Sequence, residues 1–599
     1  MTTILAELIN SRKLPQPKYL PVSSEEARKC YGSEELDVIL VTGDAYVDQP
    51  SFGVAIIGRV LVAHGYKVGI IPQPDWRNIE DFEKLGKPRL FFGVTAGCTD
   101  SMVSNYSPSR RKRQVDDYSP NGVAGKRPDR ATIVYAHAIR KVWKNVPIVL
   151  GGIEASLRRF AHYDYWDDCV RQSVLADAHT DLLVYGMGEL QAVEIAMQFE
   201  SGNKVDTITE VPGTVRKTME KPADALELPS FEEVANSKQR YAEAFVTIMK
   251  NNYPSAKKLA QQQSKTWVVQ NPPMRPLSQE ELDWVYSLPF TRNKHPCYGK
   301  HQIPAEKTAK FSIVSHRGCF GNCAFCAIAF HQGKLVVSRS EASIIAEARA
   351  LASHREFRGT IVDVGGPSAN MYGMKCRNGE KAISCQRSCL YPTICQNLDT
   401  RHGPQIQLLK KLRNLPAVKH VFVQSGIRFD LALEDRQYIE ELCRYHISGQ
   451  LKIAPEHIEK EVTDVMRKPD GKKFEDFLKV FEGITTKIGK RLYIVPYFMA
   501  SHPGCELKHM LSLAKFIKKL GFFIEQVQEF TPTPGTLSTC IYYTGFDPYT
   551  GKKVYVPKGE ERAVQRALLQ LGNRRNFAIV KKYFEKHGKK LIGELEASP

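Results

Sequence analysis

No run of eighteen or more uninterrupted apolar residues occurs in this chain of 599, so a membrane-spanning helix is excluded on length. The opening stretch, MTTILAELINSRKLPQPKYLPVSSEE, lacks both an apolar core segment and a small-residue cleavage site. No signal peptide is read there, and a cytoplasmic location with no membrane partner is expected. Acid is in deficit: 65 Asp and Glu stand against 84 Lys and Arg, a net charge of +19. Such a balance suits nucleic acid or another anion as partner, and equally a solvated basic surface. Nor are the fourteen cysteines distributed as a disulfide framework. Seven fall between Cys319 and Cys395 and the others are scattered singly, a pattern of metal or redox chemistry.

What is present is an ordinary globular composition, 42% hydrophobic and 25% charged, in a chain too long for one core. Residues 1–304 open with an α/β rhythm. ELDVILVTG (35–43), the end of VAIIGRVLVAHGYKVGIIPQP (54–74), PRLFFGVTAG (88–97), VPIVLGG (146–152) and TDLLVYG (180–186) have strand length and strand composition. Helical patterns alternate with them. This predicts a doubly wound, Rossmann-like parallel sheet, with ligands at the strand C-termini. From Val205 to Pro304 the pattern loosens into polar helices and Pro-rich loops, read as a connecting subdomain.

Residues 305–539 restore the rhythm. FSIVSH, GTIVDV, HVFVQSG, LKIAPEH, RLYIVPYFMA and FIEQVQEF are six strand candidates, with helical patterns between most of them. Six βα units are too few for the closed eight-stranded barrel and predict an open (β/α)6 partial barrel. Residues 540–599 read as an aromatic hairpin-like segment followed by two basic helices, a small C-terminal extension. With the loop SPSRRKRQVDDYSP they make nucleic acid a candidate partner, against the plainer reading of solvated Lys and Arg.

Directly after the first barrel strand comes SHRGCFGNCAFCAIAF. Cys319, Cys323 and Cys326 form a C-x3-C-x2-C triplet, one thiolate short of a closed site. A three-cysteine zinc site borrowing a distant ligand is the competing reading. The spacing, Phe325 before the last cysteine and the strand ahead of it favour a different one. The segment resembles the radical SAM superfamily. That resemblance implies a [4Fe–4S] cluster with one iron open to S-adenosylmethionine, whose reductive cleavage supplies a hydrogen-abstracting radical.

The resemblance extends along the barrel. Gly365 and Gly366, in IVDVGGPSANMYG, match a Gly-Gly-Glu motif that holds the methionine amino group, with Pro367 replacing the acid. LKIAPEHIEKEVTDVMRKP looks like the fourth-strand segment of methylthiotransferase-type and cobalamin-class members, which places Glu456 and His457 near the adenosyl group. MASHPGC and EFTPTPGT look like the fifth and sixth strand endings. VPIVLGGIEAS and DLLVYGMGE resemble the cobalamin-binding type of α/β domain. The loop TGDAYVDQPS, however, lacks the histidine that would ligate cobalt, and its Asp44 and Asp48 are poor substitutes, so cobalamin is not expected. Cys376, Cys385, Cys389 and Cys395 offer four more thiols, enough for a second metal, zinc or an auxiliary iron–sulfur cluster. As a whole the chain resembles the YgiQ family of radical SAM proteins. The resemblance implies an enzyme acting on an unidentified substrate with a reductant such as flavodoxin or ferredoxin. The alternative is an iron–sulfur regulatory or RNA-binding protein without turnover.

Overall fold

The computed structural model describes residues 14–587 other than 522, 523, 525 and 526. The first thirteen residues, half of the stretch read for a signal peptide, lie outside the described residues, as does part of the sixth strand candidate. Among the described residues no helix is long and apolar enough to cross a membrane.

The N-terminal strands are β1 (Val38–Thr42), β2 (Val68–Pro72), β3 (Phe91–Thr95) and β4 (Ile148–Gly151). A small hairpin, β5 (His162–Asp164) and β6 (Cys169–Arg171), precedes β7 (Leu182–Val184). β1 is buried along its whole length and pairs in parallel with β2 on one side and β3 on the other. Parallel β4 and β7 follow β3. The order 2-1-3-4-7 puts the switch in strand order between β1 and β3, where a doubly wound sheet opens a crevice. In this chain that crevice is filled from within. Arg127 lies 2.8 Å from the Asp44 carboxylate and donates to Ala96 O at 2.7 Å, and Asp44 accepts from the Cys98 amide at 2.7 Å. Asp48 is buried too, gripped by both Nε and Nη2 of Arg59 at 3.0 and 2.6 Å.

The loosely patterned stretch after residue 200 has more order than its composition predicts. β8 (Thr214–Thr218), β9 (Leu226–Leu228), β10 (Leu259–Gln263) and β11 (Thr266–Gln270) extend the same sheet to nine strands. β8 joins β7 antiparallel, and β10 and β11 form a hairpin. Such short strands carry no period long enough to read, and the edge they complete is chosen by packing.

The barrel follows. β12 (Ser312–Val314) leads into a short hairpin, β13 (His316–Arg317) with β14 (Val337–Ser338). The second barrel strand is split into β15 (Thr360–Ile361) and β16 (Asp363–Gly365), and β17 (His420–Val421) is the third. β18 (Gln450–Glu456), β19 (Tyr493–Ala500) and β20 (Gln528–Glu529) are the last three. β12 pairs with β16, β15 with β17, and β18, β19 and β20 with one another, all in parallel; a single parallel bridge, Ile427 to Ile453, joins the halves. This is the open partial barrel that six βα units predict.

Its outer helices are amphipathic. In Gly471–Ile488 the Asp470 side chain caps the first turn and left-handed Gly489 ends the last, while Phe474, Phe477, Phe481 and Ile484 face the core at helical spacing. Each fully buried phenylalanine there contributes about 1.5–3 kcal/mol. At the C-terminal end, the aromatic segment read as hairpin-like begins as a helix, Leu537–Thr544, ended by Gly545 at φ 84°. Only after it does the chain turn back, with Phe546 bridging Lys553. The helices Glu560–Leu568 and Arg574–Lys586 then pack on the barrel core through Val564, Leu568, Val580 and Phe584.

Candidate active site

The cysteine triplet occupies the loop between β13 and β14, at the C-terminal end of the first barrel strand. Gly318 at its start cannot carry a side chain: φ is +81° and a Cβ would stand 1.9 Å from Leu335 O. Cys319 Sγ accepts from the Gly321 amide at 3.3 Å and lies 3.8 Å from Ser368 Oγ, which brings the Gly-Gly-Pro-Ser loop of the second strand against the triplet. Cys323 Sγ accepts from Arg428 Nη1 at 3.4 Å. A Cβ on Gly321 would meet Cys319 Sγ at 3.2 Å and Cys323 Sγ at 3.6 Å, so the turn between them is open toward both sulfurs. Burial pushes the Cys319 thiol up, with Cys323 adding to it, and takes Cys326 up to about 12. Thiols held this way need a metal or cluster charge to ionise. The donor set therefore fits a cluster: three sulfurs in one loop, two of them already receiving N–H donors. Among the described residues no three His, Cys, Asp or Glu side chains are gathered closely enough to hold a single metal ion.

Arg428, at the tip of the third strand, is the residue that sequence reasoning missed. It is buried with Asp430, which accepts from Nε at 2.8 Å and from Nη2 at 2.6 Å. Its backbone is pinned as well, because Asn370 accepts from Arg428 N at 2.8 Å and donates to Arg428 O at 2.9 Å. The guanidinium thus offers its remaining edge to Cys323. GIRFD follows HVFVQSG in the sequence, but nothing local says where that arginine points.

Gly365 and Gly366 do meet the triplet's loop. Gly365 O is taken by the Ser315 amide at 2.7 Å. Gly366 is obligatory for space, since a Cβ would stand 2.5 Å from His316 Nε2. That imidazole donates to Ser368 O at 3.1 Å and is held neutral by burial, its pKa lowered to about 4. The pair of glycines therefore lets His316 fix the same Ser368 that touches Cys319.

At the fourth strand, Glu456 has a left-handed backbone, φ 67°, and is buried with Oε2 lacking a hydrogen-bond partner. Burial raises its pKa against the pull of Lys468 and Arg428. His457 is engaged elsewhere. Its Nδ1 accepts from the Glu459 amide at 3.1 Å and its Nε2 lies 3.7 Å from Cys505 Sγ. Cys376, Cys385, Cys389 and Cys395 sit in the loop after the second strand. The Cys395 amide donates to Cys389 O at 2.8 Å, and Cys389 and Cys395 pack on the small apolar cluster of Phe320, Met374 and Leu390 that Cys319 also touches.

Cys323 and Cys326 open onto a cavity of about 550 Å³ between the two α/β units. Its far wall is Tyr185–Gln191 of the N-terminal unit, and the helix Leu537–Thr544 adds Leu537. The contacts across the boundary are specific. Arg317 donates to Glu189 across the boundary, both buried, and His331 Nδ1 lies 3.0 Å from Ser156 Oγ. Ala324 donates to Met466 O and accepts from the Ser538 amide, each at 2.9 Å.

A family profile described as Radical SAM N-terminal matches residues 19–312, and one described as a domain of unknown function, DUF3362, matches 525–597. A UPF0313 protein of Methanosarcina acetivorans is 52% identical over 97% of this chain and 82% of its own. One from Clostridium botulinum is 50% identical over 96% of this chain and 90% of its own. Among solved structures, the radical S-adenosylmethionine methyltransferase TsrM of Kitasatospora setae, with cobalamin and a [4Fe–4S] cluster bound, aligns over 92% of this chain and 99% of that one, at a TM-score of 0.48 and 14% identity. The cobalamin-dependent radical enzyme OxsB with aqua-cobalamin aligns over 94% and 63%, at 0.46 and 10%.

These neighbours correct one expectation. Both hold cobalamin, and the reading against that cofactor is withdrawn. A loop judged by one absent ligand says nothing of the other contacts by which so large a cofactor is held. With half its residues shared with the curated relatives along nearly its full length, this chain belongs to the UPF0313 family, the YgiQ group of radical SAM proteins.

Proposed function

We propose that this protein binds a [4Fe–4S] cluster through Cys319, Cys323 and Cys326 and uses S-adenosylmethionine to abstract hydrogen from a substrate held in the cavity between its α/β units. The observation that carries this reading is the placement of Cys323 and Cys326 on the wall of that cavity. Bound there, the cluster and S-adenosylmethionine supply one-electron cleavage of a carbon–sulfur bond, the electron coming from a flavodoxin- or ferredoxin-type donor. The chain's own residues do the rest. Gly321 N–H and Arg428 Nη1 donate to two of the sulfurs, contacts that tune reduction potential. The boundary pairs Arg317–Glu189 and His331–Ser156 tie the two units together at the wall of the cavity. A volume of about 550 Å³ is that of a small-molecule site.

The test is anaerobic reconstitution followed by reduction with S-adenosylmethionine. Formation of 5′-deoxyadenosine and methionine is expected from the native chain, and none from the Cys319→Ala, Cys323→Ala, Cys326→Ala triple variant. A fully loaded cluster with no cleavage would leave an iron–sulfur protein without turnover.

A further inference from the structure

Among the described residues, Arg159 is a buried cation without a counter-ion. It is 2% exposed, and neither Nη1 nor Nη2 has a hydrogen-bond partner. Its guanidinium carbon lies 4.2 Å from the centroid of the Tyr185 ring and 4.1 Å from that of Phe330. Two cation–π contacts of this kind return about 0.5–2 kcal/mol each. Burying an unpaired cation costs several kcal/mol. Ring stacking alone therefore does not explain the arginine, while an anion bound at its free edge would. Burial brings its pKa down to about 10, with Tyr185 opposing, so it stays charged at neutral pH.

Its neighbours point the same way. Arg317, 7% exposed, pairs with Glu189 through Nη1 and leaves Nη2 without a partner. His331 is held by Ser156 through Nδ1 and faces the large cavity. Burial, then Arg159 and Arg317, lower its pKa to about 4, so it is a neutral donor or acceptor. A recess of about 40 Å³ lined by Arg159 shares Phe245, Met249, Phe330 and Gly535 with the large cavity. At roughly 10–15 Å³ per water it has room for about three waters or a small oxyanion. Glu189 is the only acidic residue among the described residues on the wall of the large cavity, facing Lys250, Arg275, Arg317, Lys334, Arg387 and Arg467. The remaining wall is largely apolar, with Met187, Met249, Met274 and Leu277 among it.

We propose that the cavity binds a molecule with a mainly apolar body and a terminal anion, a carboxylate or phosphate, and that Arg159 receives the anion beside Arg317 and His331. That this molecule is the substrate rests on the radical SAM reading above; the anion site itself does not. The N–H fork of a planar guanidinium matches the two oxygens of a carboxylate or phosphate.

The experiment is calorimetry on the anaerobically reconstituted full chain, with 4-phenylbutyrate, phenyl phosphate and the neutral 4-phenylbutanamide as probes and S-adenosylmethionine titrated separately. At least one acid should bind tenfold or more tightly than the amide, and whichever acid does so tells carboxylate from phosphate. Arg159→Gln should abolish that preference with S-adenosylmethionine binding unchanged. If that variant does not fold, Arg159→Lys, which keeps the charge but not the fork, should lose most of the preference. Equal binding of acids and amide, no binding of any probe, or an undiminished preference in the Arg159 variants would overturn the proposal. So would a tenfold loss of S-adenosylmethionine affinity in Arg159→Gln, since the anion would then be that molecule's own carboxylate. An acid preference in a protein that neither binds nor cleaves S-adenosylmethionine would remove the proposed function and leave the anion site standing.

Discussion

The Arg428 guanidinium touches Cys323 Sγ at 3.4 Å with one edge while Asp430 holds its other edge through two hydrogen bonds. One arginine thus joins the third barrel strand to the loop that begins at the first. The pair is buried, so its partners are not independent. Replacing Arg428 with Leu leaves the buried Asp430 carboxylate without its paired guanidinium and with only Lys468 acting on it, a cost of about 3–5 kcal/mol. The Arg428→Leu, Asp430→Leu double variant should recover most of that loss. Thermal unfolding of the two variants checks it, and a double variant no more stable than the single one would refute the pairing as the cause. Both should show a changed reduction potential of the reconstituted cluster, because both lose the donor to Cys323.

Glu456 gives a pH signature. Burial raises its pKa in the folded protein above the ordinary value of 4.5, so the folded chain holds the proton to higher pH than the unfolded chain does. Stability from this group is full below 4.5 and declines as pH rises toward the raised folded value, by about 1.4 kcal/mol per pH unit within that window. Glu456→Gln keeps the shape and removes the titration. Its melting temperature should match the native protein's at the acid end and exceed it increasingly as pH rises. Parallel curves would show that Glu456 does not titrate in the fold as described.

Gly366→Ala should damage the site through space rather than chemistry. The new methyl would stand 2.5 Å from His316 Nε2, and overpacking of this kind costs about 1–3 kcal/mol. The displaced imidazole would release Ser368, and with it the contact to Cys319. A lower melting temperature together with less iron per chain after reconstitution is expected. Adding His316→Ala, which empties the space, should restore the melting temperature more than the iron.

For the second cysteine set the decisive material is the triple Cys319, Cys323, Cys326→Ala protein, in which the first cluster cannot form. We expect zinc or iron to remain bound in it and to disappear when Cys376, Cys385, Cys389 and Cys395 are also replaced. Elemental analysis of anaerobically purified protein decides this, and a triple variant free of both metals would reduce the four cysteines to a structural insertion.

Much of this protein was legible before any coordinates. Hydrophobic period marked the parallel strands of both α/β units and the helices between them, because those elements bury a face along their own length and local spacing reports it. The triplet stands out for a similar reason: its three cysteines lie within eight consecutive positions. Tertiary structure alone decided what depends on residues far apart. Arg428 reaches Cys323 across 105 positions, and Ser156 meets His331 across 175. No period marks β8 to β11, whose membership of the first sheet depends on an available edge. Cobalamin was misjudged on one local ligand. Arg159 stands in the same position: in the sequence it is one of two adjacent arginines, and only the tertiary structure, which brings Tyr185 and Phe330 to it from the two α/β units, leaves it a buried charge without a counter-ion among the described residues.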